Sequence, residues 1–258
     1  MKHFGLIGRN ISHSISNKLH KEIGKLNDLS LKYDHFDVEE EAIEGLVNLL
    51  KEGLYNGFNV TVPYKETVLN YVDILSDTAK QIGAVNTLSY KNGKVIGDNT
   101  DAIGFSKTLD KLGLDYKGKT VYILGSGGSS RMVYYTFKSY GANPVVVSRK
   151  GGTSDYFGSM MTYDELSILE HIEILVNCTP VGSFPHYGSP YTPINQTIDI
   201  VIDLIYNPKK TEIMAYGSTS VNGLDLLIYQ GIASESIWYD KPLQEDELTI
   251  QTIKEVLM

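Results

Sequence analysis

The feature that most constrains this chain is a strand-like run that leads directly into a glycine-rich turn and a helix. Thr120–Leu124 contains only β-branched, aromatic or aliphatic side chains. Five small residues follow in order: Gly125, Ser126, Gly127, Gly128 and Ser129. Glycines allow a tight turn and let a pyrophosphate approach the backbone. A helix predicted over 129–141, ending at Gly141, would direct free N–H groups and the positive end of its dipole at the phosphates. The pattern therefore predicts a dinucleotide-binding turn.

A second strand, predicted over 144–147, completes a βαβ unit of about 30 residues. The spacing G-x-G-G-x-x-R differs from the common G-x-G-x-x-G, and the alternative is a glycine turn that only lets a helix pack closely on a sheet. The residues after the second strand indicate the type of dinucleotide. An acidic residue there suits the ribose diol of NAD, whereas Ser148, Arg149 and Lys150 suit a 2′-phosphate. The sequence favours NADP(H), with a solvated pair of charges as the alternative.

Composition excludes several other classes of protein. The chain has 258 residues, enough for two domains of ordinary size, and its 42% hydrophobic and 21% charged residues describe a globular protein. A net charge of −8 argues against a nucleic-acid or anionic-membrane partner. No apolar run reaches the ~20 residues of a membrane span, so a cytoplasmic location is expected. The single cysteine, Cys178, is interpreted as a small core residue in a buried strand, and the histidines show no metal-binding spacing, so no metal site is expected.

The first hundred residues carry a second series of βαβ signals. Strands are predicted over 4–8, 31–38 and 57–62, and helices over 17–25 and 40–51. This alternation predicts a parallel sheet separate from the one that holds the glycine loop. Asn92-Gly93 then predicts a two-residue hairpin. The stretch 113–120 matches the P-loop pattern G-x-x-x-x-G-K-[ST], but a helix is predicted before it and a strand after it, the reverse of a working P-loop.

Four polar residues of this half are candidates for a ligand site. Ser14 and Ser16 alternate in a segment predicted to be extended, so both hydroxyls can face one ligand; capping of the next helix by Ser16 or Asn17 is the alternative. Lys65 follows a predicted strand, at the type of junction where open α/β sheets place ligands. Asp101 directly precedes a helix predicted over 102–112, and either Asp101 or Thr100 is a candidate cap for that helix.

Seven stretches in order resemble the shikimate dehydrogenases, and the resemblance covers nearly the whole chain. They are I-S-H-S-I-S (11–16), N-V-T-V-P-Y-K (59–65), G-A-V-N-T (83–87), N-T-D with G-F (99–105), the glycine loop, N-C-T-P-V-G (177–182), and N-G-L (222–224) with Gln230. The family implies an α/β protein of two domains with a cleft between them. Residues 1–101, completed by helices within 223–258, would form the substrate domain, and 102–222 a Rossmann-like NADP-binding domain.

The implied reaction is the reversible, NADPH-dependent reduction of 3-dehydroshikimate to shikimate, in the shikimate pathway of aromatic amino-acid biosynthesis. The resemblance makes Lys65 and Asp101 the catalytic pair and assigns the substrate carboxylate to Ser14 and Ser16. The other substrate-binding residues would be Thr61, Asn86, Tyr206 and Gln230. The cofactor-binding residues would be Gly125, Ser126, Gly127, Gly128, Ser129, Ser148, Arg149, Lys150, Thr179 and Gly223.

The sequence departs from the family at several positions. Ser148-Arg149-Lys150 replaces the usual Asn-Arg-Thr, and Ser183 stands where the family has a methionine near the nicotinamide. The link 211–222 is short, which predicts a shortened helix. The alternatives are a relative that oxidises quinate or uses NAD, and a non-catalytic protein that senses shikimate or a nucleotide. The expected assembly is a monomer or a homodimer.

Overall fold

The computed structural model describes residues 1–258, and the chain divides into two compact units. Unit 1 comprises Met1–Lys107 with Ile228–Met258, and unit 2 comprises Thr108–Leu227. The strands are β1 (Lys2–Gly8), β2 (Leu31–Asp37), β3 (Gly57–Val60), β4 (Ile74–Leu75), β5 (Thr87–Lys91), β6 (Lys94–Asp98), β7 (Thr120–Leu124), β8 (Asn143–Val147), β9 (Gly152–Ser154), β10 (Gly158–Met160), β11 (His171–Asn177), β12 (Thr197–Asp203) and β13 (Gly217–Val221).

Eight α-helices accompany these strands. They are α1 (Ser16–Leu26), α2 (Ile43–Lys51), α3 (Asp77–Ile82), α4 (Thr100–Leu112), α5 (Gly128–Ser139), α6 (Tyr163–Ser167), α7 (Leu224–Tyr239) and α8 (Glu247–Leu257). Short 3₁₀ helices lie at Glu40–Ala42, Thr67–Tyr71 and Ile213–Tyr216. None of the helices combines the length and the apolar character that a membrane span requires.

Unit 1 contains a six-stranded sheet in the order β2-β1-β3-β5-β6-β4. β2, β1 and β3 are parallel, but β5 is antiparallel to both β3 and β6. The predicted parallel sheet is therefore confirmed except for β5, the one strand that runs against the other five. The physical reason is the predicted hairpin, which forms between β5 and β6 with φ values of 53° at Asn92 and 76° at Gly93. A two-residue turn of this kind makes its flanking strands antiparallel.

The core of unit 1 depends on the C-terminal segment as well as on the first hundred residues. One cluster packs α2 against the sheet through buried Ile43, Val47, Leu50 and Phe58. A second cluster joins β1 to α7, where Trp238 stacks on Phe4 with 4.4 Å between ring centroids. The Trp238 indole also donates a hydrogen bond of 3.0 Å to the Leu88 carbonyl. Burial of these rings fixes α7 on the sheet of unit 1.

Unit 2 contains a five-stranded parallel sheet in the order β13-β12-β11-β7-β8. The predicted unit of strand, glycine turn, helix and strand is confirmed as β7, α5 and β8. Gly141, with φ 74°, follows the end of α5 as predicted. The N–H groups of Gly141 and Ala142 donate to the carbonyls of Lys138 and Phe137, each over 3.0 Å. This is the Schellman arrangement that satisfies the last carbonyls of a helix.

Three further features of unit 2 bear on the predictions. The P-loop-like stretch 113–120 lies between the end of α4 and the start of β7, so its rejection is confirmed. The link 211–222 forms the 3₁₀ helix Ile213–Tyr216 and then β13. Cys178 is half-buried directly after β11, not within the strand, and burial raises the pKa of its thiol above the ordinary value. A thiol held protonated in this way is a poor nucleophile.

Candidate active site

Lys65 and Asp101 form an ion pair in unit 1. The Lys65 Nζ lies 2.7 Å from the Asp101 Oδ2, and the two side chains are only 17% and 13% exposed. The Lys65 backbone is fixed as well, because its carbonyl accepts a hydrogen bond of 2.8 Å from the Val85 N–H. A charge-assisted hydrogen bond at this distance orients the ammonium group. The pair is more enclosed than an ordinary surface salt bridge.

Helix α4 leaves the Asp101 carboxylate available for this pair. The helix begins at Thr100, and the Asn99 Oδ1 accepts a hydrogen bond of 3.3 Å from the Ala102 N–H. Asn99 therefore caps the helix, and the alternative in which Thr100 or Asp101 does so is wrong. The Asn99 amide also donates to the Ala84 carbonyl over 2.9 Å, which ties the start of α4 to the loop before β5.

A buried network of amides and hydroxyls adjoins the ion pair. The Asn86 Oδ1 accepts from the Thr100 N–H over 2.7 Å, and the Asn86 Nδ2 donates to the Thr100 Oγ1 over 3.0 Å. The Thr87 and Thr100 hydroxyls each lie about 3 Å from the Ser234 hydroxyl of α7. These hydrogen bonds hold the Asn86 side chain against Thr100, the residue that precedes Asp101. The sequence predicted that Asn86 contacts the substrate.

Ser14 and Ser16 come together at the start of α1. The Ser14 Oγ donates to the Ser16 Oγ over 3.0 Å and accepts from the Ser16 N–H over 3.2 Å. Ser16 is the first residue of α1, and the N-cap residue, Ile15, makes no side-chain hydrogen bond to the helix. Capping by Ser16 or Asn17 is therefore wrong. Two half-buried hydroxyls at an uncapped helix N-terminus are suited to a carboxylate.

Thr61 and Gln230 belong to the same unit. The Thr61 N–H donates to the Ile7 carbonyl over 2.9 Å, and a Cβ on Gly8 would lie only 2.5 Å from the Thr61 Cγ2. Glycine at position 8 therefore lets the end of β1 approach Thr61 closely. Gln230 lies in α7 and is 8% exposed. The structure thus collects in unit 1 every predicted substrate residue except Tyr206, which lies half-buried in unit 2 after β12, where burial raises its pKa.

Sequence reasoning missed several members of the polar network. Asn59 is 5% exposed, and its Nδ2 donates to Thr87 Oγ1 over 3.2 Å and to Ser234 Oγ over 2.9 Å. Its Oδ1 accepts from the Tyr33 hydroxyl over 2.9 Å. A polar residue inside the apolar run 57–62 was a usable signal for Asn59, because buried polar groups need partners. Ser234 offered no such signal, since a serine in an apolar helix is common.

The glycine loop of unit 2 has the geometry expected of a phosphate-binding turn. Gly125 has φ 103°, a conformation that favours glycine, and Gly127 precedes α5 with no atom within 4 Å of a Cβ built there. The helix begins at Gly128, one residue earlier than predicted, and has no side-chain cap. The free N–H groups at the start of the helix can therefore donate hydrogen bonds to an anion, and the glycine backbone presents no side chain that would block it.

A cavity of about 510 Å³ lies beside this loop. Its lining residues are Ser126, Ser148, Arg149, Lys150, Gly151 and Met160. The Ser148 hydroxyl accepts from the Gly151 N–H over 3.1 Å, which closes the turn that carries Arg149 and Lys150. The Arg149 charge also acts on Tyr163, where it opposes the upward shift of the pKa that burial causes. Two exposed cations and two hydroxyls around one cavity fit a 2′-phosphate.

The remaining cofactor candidates lie in the same unit. A Cβ on Gly125 would be 3.2 Å from the Thr179 Cγ2, so Thr179 borders the glycine loop, and its hydroxyl donates to the Asn177 Oδ1 over 2.8 Å. Gly223 packs so closely that a Cβ would lie 2.0 Å from the Leu204 carbonyl oxygen. The Ser183 hydroxyl turns back to the Pro180 carbonyl, 2.9 Å away. No three His, Cys, Asp or Glu side chains form a group that could hold a metal ion.

Comparisons with known proteins show to which family this chain belongs. Residues 6–88 match the family described as "Shikimate dehydrogenase substrate binding domain". A shikimate dehydrogenase (NADP(+)) of Clostridium perfringens is 36% identical over 100% of this chain and 98% of its own. The crystal structure of shikimate dehydrogenase 1 from Peptoclostridium difficile has a TM-score of 0.90 at 36% identity, over 100% of this chain and 98% of that one.

A more distant structure contains ligands. The shikimate 5-dehydrogenase of Thermus thermophilus, in complex with NADP(H) and shikimate, has a TM-score of 0.83 at 28% identity. It covers 99% of this chain and 100% of its own. The similarity to these proteins extends over the full length of the chain and so includes both units. The chain belongs to the shikimate dehydrogenases.

Proposed function

We propose that this chain catalyses the reversible, NADPH-dependent reduction of 3-dehydroshikimate to shikimate, a step in the biosynthesis of aromatic amino acids. The observation that carries the proposal is the enclosed Lys65–Asp101 pair, 2.7 Å apart, in the same unit as the Ser14/Ser16 hydroxyls. The ion pair supplies a proton donor for the ketone of the substrate, and the serine hydroxyls supply a site for its carboxylate. The names of the related proteins support the same reaction.

The substrate roles follow the chemistry of each group. Ser14 and Ser16 bind the carboxylate, because their hydroxyls stand at the uncapped start of α1. The other residues of unit 1 contact the hydroxyl groups of the ring: Thr61, Lys65, Asn86, Asp101 and Gln230. Tyr206, in unit 2, stays a predicted substrate-binding residue. Amide side chains both accept from and donate to such hydroxyls, and a carboxylate accepts from them, so a ligand that lacks one leaves a buried group unpaired.

Lys65 supplies the acid of the reaction. A ketone oxygen becomes more negative as the carbonyl carbon is reduced, so a cation beside it binds the transition state more tightly than the substrate. The Lys65 Nζ holds the proton that this oxygen receives, and in the reverse direction the amine accepts it. Asp101 keeps the amine in place through the 2.7 Å contact. Positioned acid–base catalysis of this kind contributes about 10²- to 10⁴-fold.

Unit 2 would hold NADP(H). Gly125, Ser126, Gly127, Gly128 and Ser129 would bind the pyrophosphate, Ser148, Arg149 and Lys150 the 2′-phosphate, and Thr179 and Gly223 would border the rest of the molecule. When bound, this cofactor would supply a hydride, two electrons together with one proton, to the carbonyl carbon. The uncapped N-terminus of α5 and the two cations beside the 510 Å³ cavity are the features that fit it.

This proposal assigns the substrate to unit 1 and NADP(H) to unit 2. The domain boundaries expected from the sequence, after residues 101 and 222, stay predictions, as do the cytoplasmic location and the monomeric or homodimeric state.

The test is the absorbance at 340 nm of purified protein offered shikimate or quinate with NADP⁺ or NAD⁺, in all four pairings. Rapid reduction with shikimate and NADP⁺ alone is the expected result. Equal rates with NAD⁺ would contradict the role of Arg149 and Lys150, and faster turnover of quinate would contradict the assigned substrate. A folded protein silent in every pairing would indicate a sensor instead of an enzyme.

Lys65→Met tests the proposed acid directly. We expect kcat to fall by about 10²-fold or more, because the proton donor is lost, while the Kd values for shikimate and NADP⁺ change little. The matched control is Lys91→Met, which removes a lysine that pairs with Asp240 over 2.8 Å on the surface of the same unit. Near-normal turnover by the Lys65 variant would remove this residue from the chemistry.

A further inference from the structure

The Asn86 side chain is held in one orientation by the residues around it. Its Oδ1 accepts a hydrogen bond of 2.7 Å from the Thr100 N–H, and a backbone N–H can only donate. This contact therefore identifies the oxygen end of the amide, which also accepts from the Thr87 hydroxyl over 3.0 Å. Asn86 is only 3% exposed, so rotation of the amide by half a turn would bury the Thr100 N–H against a second donor.

The Thr87 hydroxyl is held in its turn by a donor from β3. The Asn59 Nδ2 lies 3.3 Å from the Asn86 carbonyl oxygen, an atom that only accepts, so the nitrogen end of the Asn59 amide is fixed as well. The same Nδ2 donates to the Thr87 Oγ1 over 3.2 Å, and the Ser234 Oγ lies 2.9 Å from that oxygen. A hydroxyl oxygen can accept while its own proton is donated. The Asn59 amide and the Thr87 hydroxyl thus form a chain of donors that ends on the Asn86 Oδ1.

The nitrogen end of Asn86 has hydrogen-bonding capacity left for a ligand. An amide nitrogen carries two N–H groups, and one of them donates to the Thr100 Oγ1 over 3.0 Å. The second can point to the substrate that Asn86 is predicted to contact. The two lone pairs of the Oδ1, in contrast, are taken by the Thr100 N–H and the Thr87 hydroxyl. Asn86 can therefore offer a ligand a donor but not an acceptor.

We infer that Asn86 presents an N–H to the substrate, and that Thr87 is the positioning residue that keeps the amide in this orientation. This inference rests on the proposed function, in which Asn86 contacts a ring hydroxyl of shikimate. That hydroxyl then accepts from Asn86 and keeps its own proton for another group. The Asp101 carboxylate can accept such a proton but cannot donate one. The two side chains therefore have opposite roles toward the ring hydroxyls.

Thr87→Val tests the positioning role, because valine has nearly the shape of threonine and lacks the hydroxyl. We expect the KM for shikimate to rise about five- to tenfold, since the amide loses one of the donors that orient it, with kcat within about threefold of wild type. Thr87→Ser keeps the hydroxyl and should hold the KM within about twofold of wild type. The KM for NADP⁺ should stay unchanged in both variants, since the predicted cofactor residues lie in unit 2.

Thr249→Val is the matched control. It removes another hydroxyl of unit 1, which donates to the Asp246 Oδ2 over 3.0 Å at the start of α8, where no residue is assigned to the site. We expect this variant to keep the wild-type KM for shikimate even where it lowers the stability of the protein.

Asn86→Asp tests the donor itself. At about pH 8 the side chain is a carboxylate, which accepts from Thr100 and Thr87 as the amide oxygen does but has no N–H for the substrate. We expect its Kd for shikimate, measured by calorimetry, to rise at least about tenfold. Binding as tight as that of the wild type would overturn the assignment of Asn86 as a donor.

Three results would overturn the role of Thr87. They are an unchanged KM in an active Thr87→Val protein, a KM in Thr87→Ser as high as that in Thr87→Val, and an equal rise in KM in Thr249→Val. In each case the wild type would still oxidise shikimate, so the proposed function would stand. A wild-type chain that neither binds nor oxidises shikimate would overturn the proposed function, and this inference with it.

Discussion

Asp203 shows how burial and hydrogen bonding compete at a single residue. It is fully buried at the end of β12, where it accepts from the Ile205 N–H and the Asn177 Nδ2, each over 3.0 Å, and from the Thr211 hydroxyl. Such hydrogen bonds favour the charged carboxylate. Burial nevertheless has the larger effect and raises the pKa of Asp203 above its ordinary value. The folded chain therefore keeps this proton to a higher pH than the unfolded chain does.

The sign of the resulting pH dependence follows from linkage. Between the two pKa values the folded state binds more protons, so this residue's contribution to the free energy of unfolding is complete below about pH 4 and is lost as the pH rises through the folded pKa. Asp203→Asn cannot titrate. We expect urea unfolding from pH 4 to 7 to show the wild type losing stability relative to this variant as the pH rises. A stability difference that stays flat, or a wild type that gains stability relative to Asp203→Asn as the pH rises, would refute the raised pKa.

At the same scale, the sequence predicted individual site residues only where they lie in short recognisable stretches. Lys65 and Asp101 were paired through such stretches, although 36 residues separate them. Ser234 contacts Thr87 across 147 residues, and Glu235 contacts His20 across 215. Neither α7 residue belongs to a pattern that indicates its partner. Contacts of this kind depend on how the elements pack, which local sequence does not encode.

Among the elements, α7 and β3 approach each other closely at Gly57. A Cβ on Gly57 would lie 2.1 Å from the Trp238 Nε1, which is far inside van der Waals contact. Trp238 cannot retreat without losing its stacking on Phe4 and its hydrogen bond to the Leu88 carbonyl. Glycine at position 57 is therefore required by packing and not by backbone conformation.

Two glycine-to-alanine variants test this requirement. Gly57→Ala should lower the free energy of unfolding by about 1–3 kcal/mol, because it overpacks the junction of β3 with α7. Gly45→Ala lies in the exposed face of α2 with nothing within 4 Å of the new Cβ, and should raise stability by up to about 1 kcal/mol. Urea unfolding measures both. Equal effects of the two substitutions would show that the Trp238 contact does not constrain position 57.

The elements that the sequence predicted are those with a clear period or a turn signal. Helix α2 and the β5–β6 hairpin are examples, and the glycine turn before α5 is another. Helix α7 was expected only from the family resemblance, because its apolar residues are spread around its circumference and show no single face. The β9–β10 hairpin was missed because each strand has only three residues, too few for an alternating pattern. The pairing of β5 with β3 was not predicted, because a hairpin signal specifies only the partner across its turn.

In the whole molecule, the two units differ in the number of chain segments that form them. Unit 2 is one continuous segment, Thr108–Leu227, whereas unit 1 needs Ile228–Met258 as well as Met1–Lys107. The C-terminal segment contributes Ser234 to the polar network, Glu235 to the buried pair with His20, and Trp238 to the core. Loss of that segment would remove the Ser234 partner of Asn59 and would leave His20 without its buried partner, and breaking such a buried pair costs several kcal/mol.

Truncation after Leu227 tests this asymmetry. We expect the shortened chain to lose shikimate binding completely, because unit 1 can no longer bury its core or complete its polar network. NADP⁺ binding should persist within about tenfold of the full-length Kd, since unit 2 keeps all five strands and its glycine loop. Calorimetric titration with each ligand measures the two effects separately. Shikimate binding by the truncated chain would show that α7 and α8 are dispensable for the site.

The distant pairing of His20 with Glu235 also has a consequence for the order in which the protein is made. A ribosome adds about 5–20 residues per second, so Glu235 is added roughly 10–40 s after His20, which precedes it by 215 positions. Throughout that interval the nascent His20 has no carboxylate with which to pair, and the surface that Trp238 will cover stays open to water and to chaperones. Unit 2 has all of its residues once Leu227 has emerged. Unit 1, whose synthesis starts before that of unit 2, is therefore the later of the two units to finish folding.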